Sequence, residues 1–70
     1  MFDTSKLAGR IVEKYGTRSA FAEAIGVNVA TISSKLRGRA SISTQDIIKW
    51  SGALGIGTDD IGIYFFSPKS

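Results

Sequence analysis

The stretch FAEAIGVNVATISSKLRG, residues 21–38, decides the fold. Apolar residues recur at helical spacing on both sides of a glycine, so the stretch predicts two short helices joined by a tight turn. The helix before the turn is predicted over about 18–25, with Thr17 as its N-cap, and ends at Gly26, a residue that suits a left-handed helix stop. Asn28 is a good N-cap for the next helix, which we expect to run to about Arg37.

The connection Gly26-Val27-Asn28 is too short for the antiparallel hairpin that packing alone would favour. A glycine-containing turn of three or four residues between steeply inclined helices is the helix-turn-helix unit. Gly26 accommodates the positive φ that such a corner needs, and Val27 and Ile32 would hold the two helices together from inside it. The unit holds one helix away from the body of the protein, so that its outer side can enter the major groove of DNA.

Helical patterns elsewhere predict a compact all-α bundle of four or five short helices. Leu7, Ile11 and Tyr15 share one face of a first helix. Ser43 begins another helix, for which Asp46 completes a capping-box pattern. We therefore assign the chain to the all-α class, with a helix-turn-helix inside the bundle.

The C-terminal third gives weaker local signals. The segment 52–57 contains three glycines and is predicted to be a turn. Thr58 would cap a last short helix, but Gly62 weakens that helix and leaves an extended segment as the alternative. We predict a single domain over 1–66 and a flexible tail over 67–70.

The composition excludes several classes of function. The chain has 70 residues, with no cysteine and no histidine, which leaves no disulfide, no thiolate metal site and no usual general base. Asp59 and Asp60 are better explained as helix-start charges than as catalytic acids, so we expect no enzyme activity, cofactor, metal or small-molecule substrate. No apolar run approaches the roughly 20 residues of a membrane span, and no signal peptide is visible. We expect a soluble cytoplasmic protein without a membrane partner.

Positive charge is concentrated in the middle of the chain, although the net charge is only +3. The range 14–45 holds a single acid, Glu23, against these cations: Lys14, Arg18, Lys35, Arg37 and Arg39. One positive face is typical of a protein that binds a polyanion. A solvated surface that merely happens to be basic is the alternative.

The same stretch resembles the helix-turn-helix of the lambda-type phage repressors and Cro proteins. The matching residues are Ala22, Gly26 and Ile32, and Gly38 closes the recognition helix. The opening MFDTSKLAGRIVEKYG and the later IIKWSGALGI also look like the flanking helices of small phage repressors, so the resemblance covers nearly the whole chain. It implies a lambda-repressor-like domain of five helices and a transcriptional regulator that binds double-stranded operator DNA in the bacterial host, associated with the nucleoid.

The resemblance also implies which residues would contact DNA. Base edges would be read from the first turn of the recognition helix and its next outward positions: Asn28, Val29, Ala30, Thr31, Ser33 and Ser34. Phosphates would be bound at the start of the second helix and around the far end of the recognition helix: Arg18, Lys35, Arg37, Arg39, Ser41, Ser43 and Thr44. Because few of the outward side chains can read a base through two hydrogen bonds, we expect modest sequence discrimination, helped by DNA shape.

Several alternatives stay open for these residues. Val29 would equally pack against the second helix, and Ser33 and Ser34 would equally be plain solvent-facing residues. The family usually has an aliphatic residue where this chain has Lys35, and Leu36 is the apolar residue instead, which would rotate the recognition helix slightly. Small phage-encoded domains of this kind also act as modulators that bind a phage repressor protein and mask its DNA-binding surface.

The apolar residues near the C-terminus predict a contact with a second copy or with a protein partner: Ile63, Tyr64, Phe65 and Phe66. Some of these residues must complete the core beneath Trp50, but three consecutive aromatic residues cannot all face it, so at least one should be exposed. Relatives of this kind pair on half-sites about one helical turn apart. We therefore expect a homodimer on DNA.

Overall fold

The computed structural model describes residues 3–66, which contain five α-helices, one 3-10 turn and no strand. The helices are α1 (Ser5–Tyr15), α2 (Arg18–Ile25), α3 (Val29–Leu36), α4 (Thr44–Leu54) and α5 (Ile61–Phe65), and the 3-10 turn over Thr58–Asp60 precedes α5. The predicted all-α bundle is confirmed. The predicted tail, 67–70, lies outside the described residues. No helix within 3–66 has both the length and the apolar character needed to cross a membrane.

Four aromatic rings from four different helices form the centre of the core. Phe21 of α2 lies 5.3 Å from Tyr15 of α1 and 5.5 Å from Trp50 of α4, between ring centroids. Phe65 of α5 lies 6.3 Å from Trp50. The largest fully buried side chains are Trp50, Phe21, Leu7, Ile11, Ile32 and Leu54. Since α3 contributes no ring, it joins this core only through aliphatic side chains.

Side-chain caps begin the three central helices where the sequence predicts them. Thr17 and Asn28 each accept a backbone N–H from the first turn of their helix, at 3.1 and 2.7 Å. Ser43 and Asp46 form the predicted capping box, in which each side chain accepts the backbone N–H of the other residue. Each cap satisfies donors that the helix itself cannot pair.

The C-terminal third differs from the prediction in two details. The turn predicted over 52–57 is wrong at its start, because α4 continues through Gly52 to Leu54 and ends at Gly55, which has a φ of 67°. Thr58 makes no side-chain cap and instead begins the 3-10 turn. The helical alternative is confirmed for the last segment, since α5 includes Gly62.

The carbonyl ends of α2, α3 and α4 are bonded by side chains from elsewhere in the chain. In each bond a side chain donates to a backbone carbonyl oxygen: Thr4 to Leu36 at 2.6 Å, Arg10 to Leu54 at 3.0 Å, Tyr15 to Ala53 at 2.9 Å, and Lys49 to Ile25 at 3.4 Å. The last carbonyls of a helix have no intrahelical partner, and cations are favourable beside them. These contacts therefore complete the ends of the helices and hold them against their neighbours.

Candidate nucleic-acid interface

α2 and α3 are joined by a turn over 26–28. Gly26 has a φ of 74°, a left-handed conformation that glycine adopts without the strain of a Cβ atom. Its N–H donates to the carbonyl of Glu23 at 3.3 Å, and the N–H of Val27 donates to the carbonyl of Ala22 at 2.9 Å. This pair of bonds is the Schellman pattern, which ends a helix and turns the chain away from its axis. The predicted role of Gly26 in the turn is confirmed.

α3 has a buried side and an outward side. Ile32 and Leu36 are buried one turn apart, and α3 packs mainly against α2. Positions three and four apart share a helix face, so Ala30, Ser34 and Arg37 follow one another along the opposite side. The helix therefore presents small side chains to the outside, followed by a cation at its end.

The residues predicted to read bases lie at or near the surface. Asn28, Val29, Ala30 and Thr31 are exposed, and Ser33 and Ser34 are half-buried. Val29 keeps 38% of its surface exposed, so the rest of the protein covers most of it and leaves part of it open to contact. The side-chain oxygen of Asn28 is already used as the N-cap acceptor. Its amide NH₂ group would be the donor for a base contact, and the oxygen keeps a second lone pair.

The loop after α3 carries two exposed arginines, Arg37 and Arg39. Its backbone folds back on the helix, because the N–H groups of Arg39 and Ala40 donate to the carbonyl of Ser34 at 2.9 and 3.3 Å. Gly38, with a φ of 80°, permits this reversal. The loop therefore holds its arginines close to the outward end of α3.

The other predicted phosphate contacts are distributed over two places. Ser41, Ser43 and Thr44 are exposed where the loop enters α4, while Arg18 is half-buried at the first residue of α2. The hydroxyl oxygen of Ser43 accepts a backbone N–H as the cap of α4. Of the basic residues in the middle of the chain, Lys14 lies elsewhere, with its ammonium beside Gly55 at the end of α4.

Lys35 forms an ion pair that the sequence analysis did not predict. Its Nζ lies 2.5 Å from Oδ2 of Asp46, and both side chains are 19% exposed. The same carboxylate oxygen accepts the N–H of Ser43 at 2.9 Å. Burial favours a higher pKa for Asp46, but hydrogen bonds from Lys35 and Ser43 and the charge of Lys35 outweigh it and lower that pKa.

The residues of α5 that were predicted to form a partner contact differ in exposure. Phe65 is 3% exposed and packs on Trp50, so including it in a contact surface was wrong, because it completes the core. Ile63 and Phe66 are 47% and 46% exposed, and Tyr64 is half-buried. The expectation that at least one of the three consecutive aromatic residues is exposed is confirmed.

The arrangement offers positive charge and hydrogen bonds rather than reactive groups. Among residues 3–66, no three histidine, cysteine, aspartate or glutamate side chains come together as a candidate metal site. The outward side of α3 is small and partly hydroxylated, and cations lie at its end. Such a surface is suited to close approach by a hydrated polyanion.

Comparison with known proteins gives a family but no activity. No curated protein matches the chain. A family model matches residues 1–68 of the 70, which is nearly the whole sequence. The protein therefore belongs to the family described as "Protein of unknown function (DUF739)".

Proposed function

We propose that the protein is a phage transcriptional regulator of the Cro or repressor type, which binds operator DNA with α3 in the major groove. One observation carries the proposal: α3 follows a three-residue turn, buries Ile32 and Leu36, and leaves its other side exposed beside Arg37 and Arg39. The major groove of B-DNA is wide enough to admit an α-helix. The phage assignment rests on the sequence resemblance alone.

Each part of the interface would have its own task. Val29 and Ala30 would meet thymine methyl groups, and the hydroxyls of Ser33 and Ser34 would exchange hydrogen bonds with base edges. Arg37, Arg39 and Arg18 would bind phosphates, as would the hydroxyls predicted in the loop and at the start of α4. Phosphate contacts position the protein and provide most of its affinity, whereas base contacts select the sequence.

Two copies would bind neighbouring half-sites. One short recognition helix buries too little surface for tight binding, and half-sites lie about 34–36 Å apart when a dimer reads successive turns of one groove. The exposed side chains of Ile63 and Phe66 support pairing through α5, because apolar patches of this kind mark contact sites.

The proposal is tested by a gel shift with the DNA that flanks the protein's own gene, at two salt concentrations. Arg37→Ala and Arg39→Ala should each weaken binding and reduce the slope of log affinity against log salt by about one unit. Lys14→Ala is the matched control, because Lys14 is an exposed cation whose ammonium lies beside Gly55 at the end of α4, a position assigned neither to DNA nor to the α5 contact. Absence of any complex at low salt, or an equal effect of Lys14→Ala, would contradict the proposal.

A modulator that binds a phage repressor protein is the second candidate. The observation that favours it is the apolar start of α3, where Val29 is 38% exposed next to the exposed Ala30. Operator DNA and the purified repressor should be offered to the protein side by side. A DNA-binding regulator shifts the DNA alone, whereas a modulator forms a complex only when the repressor is present.

A further inference from the structure

We propose that Asp46 withholds the charge of Lys35 from DNA, so that Lys35 positions α3 instead of binding a phosphate. This inference rests on the proposed function, since it concerns how α3 and its loop meet DNA. It makes Asp46 a specificity-determining residue. By removing one cation from the interface, Asp46 weakens the sequence-independent attraction to DNA. That attraction depends on contacts with phosphates.

The geometry keeps Lys35 occupied. Its ammonium is bonded to Oδ2 of Asp46, both side chains are 19% exposed, and charge-assisted bonds of this kind are stronger than neutral ones. Asp46 is itself held in place by the capping box with Ser43. For Lys35 to bind a phosphate, it would have to leave a fixed carboxylate that is largely removed from water, and that carboxylate would lose its cation. Lys35 would therefore gain little free energy by exchanging the carboxylate of Asp46 for a phosphate.

The two arginines of the loop are in a different situation. Within residues 3–66 the ion pairs are Arg10–Glu13 and Lys35–Asp46, so neither Arg37 nor Arg39 belongs to one. Both arginines are exposed. They can therefore bind phosphates without breaking an existing ion pair, which Lys35 cannot.

The ion pair also supports the last turn of α3. Apart from its packing on α2, this turn is held by two polar contacts, from Lys35 to Asp46 of α4 and from the hydroxyl of Thr4 to the carbonyl of Leu36 at 2.6 Å. The lowered pKa of Asp46 keeps its carboxylate charged near neutral pH. The carboxylate can therefore hold Lys35 under those conditions.

The test measures the salt dependence of binding to two duplexes, the DNA flanking the protein's own gene and an unrelated sequence. The double variant Lys35→Met/Asp46→Asn removes both charges of the pair and should leave the slope of log affinity against log salt unchanged. Asp46→Asn, which releases Lys35, should steepen the slope by about one unit. The loss of affinity between 50 and 200 mM salt would then grow by about 3.5-fold, since each phosphate contact adds about 0.9 to the slope.

The double variant Lys35→Met/Asp46→Asn separates the released charge from other effects of the substitution. It should return to the wild-type slope, and thermal unfolding of each variant checks that it is folded. The inference is overturned if the double variant flattens the slope as Arg37→Ala does, or if Asp46→Asn leaves it unchanged. If Asp46→Asn does not fold, the double variant decides the question.

Failure of this inference and failure of the proposed function give different results. If the wild-type protein binds neither duplex, the proposed function is wrong and the inference fails with it. If the wild type binds and Arg37→Ala flattens the slope, but Asp46→Asn does not steepen it, only the inference about Asp46 is wrong.

Discussion

α3 and α5 are both short surface helices, but they are attached in different ways and expose different chemistry. α3 is capped at its start by Asn28 and held at its end by polar contacts to Lys35 and Leu36. α5 has no side-chain cap and is anchored by the ring of Phe65. The outward side of α3 is small and partly polar, whereas α5 exposes larger apolar side chains.

Under the proposed function, the two helices would meet two kinds of partner on one small domain. A surface of small side chains with cations at its edge suits a polyanion, because it allows close approach and long-range attraction. Exposed apolar side chains gain free energy only when another apolar surface covers them. Substitutions in α3 should therefore change DNA binding, and substitutions on the outside of α5 should change association.

The largest expected effect separates the two neighbouring phenylalanines of α5. Phe65→Ala should lower the free energy of unfolding by about 3–5 kcal/mol, since it leaves a cavity beside Trp50, and a small domain has little more than that to lose. Phe66→Ala is the matched variant, at a side chain that is 46% exposed, and should cost less than about 1 kcal/mol. Denaturant titration measures both losses.

Association should respond in the opposite order. Phe66→Ser should shift sedimentation toward the monomer and weaken DNA binding while the domain stays folded. Equal losses of stability from Phe65→Ala and Phe66→Ala would contradict the assignment of Phe65 to the core and Phe66 to the surface. Unchanged sedimentation and DNA binding for Phe66→Ser would remove the partner role of α5.

Local interactions made the position of α2, α3 and α4 predictable from sequence. Thr17, Asn28 and the pair Ser43 and Asp46 cap groups no more than three positions away, and such contacts can be read from spacing alone. The outward side of α3 followed from the periodicity of its apolar residues in the same way. The whole α2–turn–α3 segment could therefore be placed without tertiary information.

Contacts between distant residues could not be predicted in this way. Lys35 and Asp46 are 11 positions apart, and Thr4 and Leu36 are 32 apart, so neither contact has a spacing signature. Whether Phe65 or its neighbour enters the core depends on the direction of a five-residue helix. The surface of the candidate site could therefore be predicted from the sequence, but not which cation at its edge is already paired.

Two glycine substitutions should have smaller effects on stability, and their signs should be opposite to each other. One glycine follows α3 and the other lies within α5. Gly38 has a φ of 80°, so Gly38→Ala should lower the free energy of unfolding by about 1 kcal/mol, because a Cβ atom is strained there. Gly62 is helical, and a Cβ added to it meets nothing within 4 Å. Gly62→Ala should raise stability by about 0.5 kcal/mol. Thermal unfolding of both variants checks the signs, and a stabilising Gly38→Ala would contradict the loop geometry.

The smallest effect expected is on the pH dependence of stability, and it comes from the Lys35–Asp46 ion pair at the end of α3. Because the pKa of Asp46 is lowered in the folded protein, its contribution is complete above the ordinary aspartate pKa and is lost as pH falls through the folded-state value. The free energy of unfolding should fall less steeply with acid for Asp46→Asn than for the wild type. Asp59→Asn, at an exposed residue of the 3-10 turn, is the control. Parallel curves for wild type and Asp46→Asn would argue against the ion pair.

The bonds at the carbonyl ends of the helices have a consequence for how the domain comes apart. Each joins residues that are 24 to 44 positions apart, so the last carbonyls of α2, α3 and α4 gain their side-chain donors only when remote parts of the chain have folded. Fraying of one helix end also releases a side chain that steadies another element. The domain should therefore open as one cooperative unit, and amide hydrogens at the ends of all three helices should exchange with solvent together rather than one helix at a time.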